Sequence, residues 1–181
     1  MLRWMARRRL AAFERAFEYD TGYMREMLDA SWASFLRFSA VAKMATLRED
    51  VPPDAWYAAK LSATMAEDCG PCTQLVVRMA EADGVSAAAL RGILEGDERA
   101  MGHDAALAQR FARAVLAHHA DADALRGQIV ARWGQRAVVT LALAIAASRM
   151  FPTVKYAMGH GRSCSRIRIG DTETRPVLAR A

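Results

Sequence analysis

No stretch of this chain alternates apolar and polar residues over the length of a strand, and that absence decides the fold class. Ile167-Arg168-Ile169 is the one fragment with a strand's rhythm, and it is too short to found a sheet. Apolar side chains instead recur three and four positions apart between well-marked breakers. Leu10, Phe13 and Phe17 share a helix face; Phe35, Phe38 and Ala42 share another. Val51-Pro52-Pro53 ends the second run, because two prolines cannot continue a helix. Asp54 starts a helix that reaches about Ala66, with Ala58, Leu61 and Met65 inward. Pro71 fits a first helical position, and Asp83-Gly84 stops the helix it opens. Asp29 or Ser31 caps the helix that follows them, and Ser86 caps a later one. Leu107, Phe111 and Ala114 mark a long helix, and Leu125, Ile129 and Trp133 mark the next. From Gln135 to Met150 the chain is apolar on nearly all sides, which reads as a central helix, and Pro152 kinks or restarts it. The expectation is an all-α bundle of about eight to ten helices in a single domain. Residues 1–50 form an N-terminal helical extension, 51–159 the helical core and 160–181 a flexible basic tail.

Charge narrows the partners. The net charge of +5 is carried by the two ends. Arg3, Arg7, Arg8 and Arg9 precede any acid, and the tail holds Arg162, Arg166, Arg168, Arg175 and Arg180 against Asp171 and Glu173. The body between them is slightly acidic, so no basic groove for nucleic acid is expected. The start is basic without an apolar segment and is not a secretory signal. It has the composition of an organelle presequence, but the spacing of Leu10, Phe13 and Phe17 favours an ordinary helix of the folded body. The charge-free run between Arg136 and Arg149 is too short to span a bilayer, so no membrane association is expected. Three cysteines cannot form a fully paired disulfide framework, which points to the cytoplasm.

Reactive side chains cluster once, at Glu67-Asp68-Cys69-Gly70-Pro71-Cys72. Two residues between cysteines bring the sulfurs within about one helical turn, so they can close a small disulfide ring. With Pro71 opening the helix, Cys72 lies in its first turn. There the unpaired N–H groups and the positive end of the dipole stabilise a thiolate. Cys72 is then the nucleophile and Cys69 the resolving partner, with the roles exchangeable. Glu67 is the candidate for proton transfer; a solvated acid at a helix end is the plain alternative. Three readings of the cysteines stand side by side. They are a redox dithiol, a pair of buried structural thiols, or half of a zinc site completed by His160 and Cys164. His118-His119 is read as a helix end and His103 as solvated.

On the Cys69-Gly70-Pro71-Cys72 motif within an all-helical chain of this length, the sequence resembles the carboxymuconolactone decarboxylase superfamily, in its alkylhydroperoxidase D-like branch. The resemblance covers roughly 51–158. It implies an all-α bundle assembled as a homo-oligomer (dimer, trimer or hexamer). It also implies thiol-dependent reduction of a hydroperoxide or disulfide substrate, a thiol reductant protein as partner, and no cofactor or resident metal. The family's histidine one turn after the second cysteine is Val76 here, and its histidine inside the motif is Pro71. Its upstream glutamate falls near Tyr57, which leaves Glu67 as the acid. The Cys-Gly-Pro-Cys order also matches the thioredoxin dithiol, whose strand pattern is absent, so that match is convergence at the site alone. The decarboxylase branch lacks the dithiol, so decarboxylation is not expected. The alternative function is a non-catalytic helical module that senses redox state or is stabilised by zinc.

Overall fold

The structure, a computed structural model, describes residues 2–162 and 166–177. Among them the chain is all-α, as its periodicity predicts, with ten helices followed by one short hairpin. Three N-terminal helices, α1 (Leu2–Phe17), α2 (Gly22–Ala30) and α3 (Trp32–Thr46), precede the body. The body comprises α4 (Pro53–Ala66), α5 (Gly70–Ala82), α6 (Ala87–Glu95), α7 (Glu98–Met101), α8 (His103–Leu116), α9 (Asp121–Trp133) and α10 (Gln135–Ala157). Strands β1 (Ile167–Ile169) and β2 (Thr172–Thr174) pair antiparallel.

Local chemistry sets these boundaries. The Ser31 and Ser86 hydroxyls accept from the Ser34 and Ala89 amides, each at 3.2 Å, and so satisfy N–H groups that a helix start leaves unpaired. Asp97 does the same for Arg99 and Ala100, which starts the single turn of α7 where the sequence indicates only a loop. Gly96 closes α6 in the left-handed region at φ +77°, where a Cβ is unfavourable.

The helix at the centre is α4, with every residue from Ala55 to Met65 buried. It packs chiefly on α8, then on α10 and α5. Leu61, Val77, Leu90, Ile93, Leu107 and Leu141 fill the space around it. The sequence places α10 in that role instead. In the structure one side of α10 faces the body and the other faces solvent, with Val139 51% and Met150 41% exposed. Three polar residues of α4 conceal its position, since Lys60, Ser62 and Thr64 all bond inside the fold. Lys60 Nζ donates to the Ala45 carbonyl (3.0 Å), Ser62 to the Ala58 carbonyl (2.8 Å) and Thr64 to the Leu61 carbonyl (3.1 Å).

The N-terminal helices build their own small clusters. Leu10, Leu28 and Phe35 form one, and Val41 and Ala45 join Ala147 of α10 in another. At the opposite end of the chain, residues 166–177 are not a trailing tail. Ile167 and Ile169 are 0% and 2% exposed, and Gln74 on α5 makes two hydrogen bonds to Arg168 (2.7 and 2.8 Å). Glu81 accepts from the Gly170 amide (2.7 Å), and the Val177 amide donates to the Leu94 carbonyl (2.9 Å). The hairpin therefore runs along α5 and α6 as a strap. Its two buried isoleucines alternate with exposed Arg168, a strand's period in three residues.

Candidate functional site

Helix α4 ends at Ala66 with Glu67 as its C-cap, and Asp68 then takes a left-handed conformation (φ +46°) that turns the chain sharply. Cys69 follows with extended backbone as the N-cap of α5, and Pro71 occupies the first turn as expected. This break puts Cys69 at the mouth of the helix and Cys72 within its first turn. The two sulfurs are bonded to each other, with Cα atoms 5.3 Å apart. The positive end of the α5 dipole meets the pair. The Thr73 amide and hydroxyl both donate to the Cys69 carbonyl, at 2.9 and 3.1 Å, which fixes the first turn.

The pair is covered. Cys69 is 0% and Cys72 3% exposed. The Tyr156 hydroxyl at the end of α10 donates to the Asp68 carbonyl (3.0 Å), and the Gly70 amide donates to the Arg162 carbonyl (3.2 Å). Glu67 points to α10, where Arg149 Nε donates to its carboxylate at 2.5 Å and the Thr153 hydroxyl approaches at 3.4 Å. Arg149, Thr153, Tyr156 and Arg162 all border the motif, and none was found by sequence reasoning. Their chemistry is ordinary, and only the fold brings them to it. A shallow depression of about 410 Å³ beside Glu67 is lined by Ala146, Arg149, Met150, Thr153 and Val154, not by either cysteine.

Two of the positions that carry a proton relay in the resembled family are core here. Val76 is buried, and so is Tyr57, whose hydroxyl donates to Asp83 at 2.6 Å. Burial and that carboxylate push the Tyr57 hydroxyl pKa upward. His160 forms a close pair with Glu26 of α2 (2.8 Å). The zinc reading needs Cys164, which is outside the described residues; among those described, no group of three or more histidines, cysteines and acids is placed to hold a metal. His103 is solvent-facing beside Asp104, and His118 and His119 follow the end of α8.

Two buried lysines complete the picture. Lys60 stacks over Trp56 at 3.9 Å, and desolvation lowers its pKa to about 8 against the pull of Asp83. Lys155 sits over the Tyr19 ring at 4.5 Å, and burial lowers its pKa as well, partly offset by Asp20. The Tyr23 hydroxyl beside it faces Tyr19 without a hydrogen bond of normal geometry.

Fold and site together define an all-α protein with a disulfide closed at the start of a helix. Comparison with family models, with curated proteins and with solved structures finds no match.

Proposed function

We propose that this chain is a thiol–disulfide oxidoreductase of alkylhydroperoxidase-like type, working through the Cys69–Cys72 pair in a reducing compartment such as the cytoplasm. The observation that carries the reading is the bonding of the two sulfurs to each other at the N-terminal end of α5. A helix start favours the thiolate that thiol chemistry requires, and a vicinal partner completes the oxidative half of the cycle within one chain. In the reduced form Cys72 is the attacking sulfur, since it keeps the residual exposure. With a hydroperoxide, the thiolate takes the distal oxygen. The O–O bond breaks, the alkoxide leaves as alcohol after gaining a proton, and Cys72 becomes a sulfenic acid. Cys69 then displaces water and forms the disulfide. With a disulfide substrate, two exchanges release two thiols and leave the same closed pair. A dithiol protein returns both electrons. Glu67 handles the proton in this scheme: once its carboxylate leaves Arg149, it accepts the proton of the Cys72 thiol and passes it to the departing alkoxide. Entry to the buried sulfurs begins when the backbone at Arg162 leaves the Gly70 amide.

The burial of both sulfurs favours a second reading, a structural bridge that closes the first turn of α5 with no turnover. Stopped-flow oxidation of the reduced Cys164→Ser protein by an alkyl hydroperoxide and by a small aromatic disulfide separates the two. Catalysis predicts oxidation at least tenfold faster than glutathione with one oxidant, abolished in Cys72→Ser and slowed in Glu67→Gln. Rates no faster than glutathione with both oxidants leave the structural bridge.

A further inference from the structure

The solvent side of α10 is an unpartnered apolar stripe. Val139, Ala142, Ala146 and Met150 are exposed along it and Leu143 is half-buried, with no charged residue between Arg136 and Arg149. Depletion of charge in an exposed patch is the compositional mark of an interface core. We propose that this stripe is a self-association face, on which a second copy of the chain packs its own α10 antiparallel across a two-fold axis.

The case for a second copy is the symmetry of the stripe about its own middle. An isologous contact requires each position to suit the position that the axis sets against it. With the axis between Ala142 and Leu143, the large side chain of Val139 faces the small one of the partner's Ala146, and Ala142 faces the partner's Leu143. Large meets small at both steps, which lets the two ridges interdigitate. The depression beside Ala146 and Met150 is room on this face for the partner's Val139.

The charges obey the same symmetry. Arg136 is bonded to Asp50 at 2.7 Å, and Arg149 to Glu67 at 2.5 Å. The axis sets each Arg136–Asp50 pair against the partner's Arg149, itself already neutralised. Both ends of the stripe thus present an acid with a base to their counterparts, and no like charges meet unpaired.

A bilayer is the competing occupant, because α10 has the length and hydropathy of a spanning helix. Half of its most apolar window is already buried against the body, however. The two ion pairs stand only about 20 Å apart along the axis, short of the roughly 30 Å of a hydrocarbon core. One helix face is also less than the about 800 Å² per partner of a standard stable interface, so the dimer is a weak one, with Kd on the order of micromolar.

Sedimentation velocity of the full chain from about 1 to 300 µM tests this. The expected result is a concentration-dependent monomer–dimer equilibrium. Val139→Lys and Ala146→Glu, each on the exposed face, raise Kd at least tenfold while circular dichroism stays unchanged. Combining them sets the introduced lysine against the introduced glutamate twice per dimer and restores association. A monomer at every concentration overturns the proposal, as does a trimer or larger ring. A monomer that floats with anionic or neutral vesicles assigns the stripe to a membrane instead. A double variant no better than the singles overturns the two-fold register. None of these outcomes depends on thiol turnover, so the face and the proposed chemistry stand or fall separately.

Discussion

Lys60 shows how far the interior of a fold can depart from its pattern. Its ammonium sits beneath the protein surface with one carbonyl acceptor, that of Ala45, and the face of Trp56 for company. Desolvation is the larger influence and lowers its pKa to about 8, while Asp83 pulls the other way. Below pH 8 the residue is charged in both folded and unfolded states, and its burial cost is constant. Between pH 8 and the ordinary lysine value the unfolded chain holds a proton that the folded chain has shed. Stability therefore rises with pH across that interval, by at most about 3 kcal/mol. Above pH 10 the trend reverses, because Tyr19, pushed up to about 12, keeps its proton in the fold after the unfolded chain has lost it. Urea unfolding of wild type and Lys60→Met from pH 7 to 10 measures the effect. The wild-type-minus-variant difference is expected to climb through pH 8–10, and a flat difference would show that the amine stays charged in both states throughout.

Elements were legible from the sequence where their boundaries rest on local chemistry. Pro71 at the start of α5, Ser31 and Ser86 as caps, and Gly134 between α9 and α10 all stand where breakers and cap residues indicate. Burial was less legible. On α4 Lys60, Ser62 and Thr64 mimic a solvent face because their backbone acceptors cannot be seen from residue types. On α10 an unbroken apolar run mimics a central helix, although periodicity cannot distinguish a side packed on the body from one left open. The strap was only partly legible. Ile167-Arg168-Ile169 shows a strand's rhythm, but three residues are too few to predict where they dock, and the partners Gln74, Glu81 and Leu94 lie between about eighty and ninety-five residues upstream. At the site, the motif and the helix it opens were readable, whereas the cover supplied by Tyr156 and Arg162 came from outside it. Gly92 is the place where one element constrains another most closely. A Cβ there would lie 2.5 Å from the Met101 amide nitrogen and 2.9 Å from the Asp97 carbonyl oxygen, both backbone atoms that cannot rotate away. Gly92→Ala is therefore expected to destabilise by roughly 1–3 kcal/mol, although alanine is the better helix former by itself. Chemical denaturation of Gly92→Ala beside Gly127→Ala, where a Cβ meets nothing, checks this; the control should be neutral or stabilised.

At the scale of the molecule, the question is how much the fold owes to its one observed disulfide. The bridge closes a ring from Cys69 to Cys72, the shortest loop that such a motif allows. The unfolded chain loses little freedom to so small a ring, about 2 kcal/mol on the chain-entropy account. The body has other supports, since α4 is buried along its length and the strap holds α5 and α6 independently. Both sulfurs also remain compatible with their surroundings as thiols, because free cysteine behaves as a small apolar side chain. Reduction is thus expected to lower Tm by only about 4–8 °C for a chain of this size, with helical content unchanged. Calorimetry with and without a phosphine reductant measures this directly, and Cys69→Ala with Cys72→Ala should match the reduced form. A reduced state that keeps its helices and melts cooperatively is what a dithiol cycling between two forms demands. Loss of cooperative melting on reduction would instead make the bridge a condition of folding, and a protein that unfolds with each turnover cannot use those electrons.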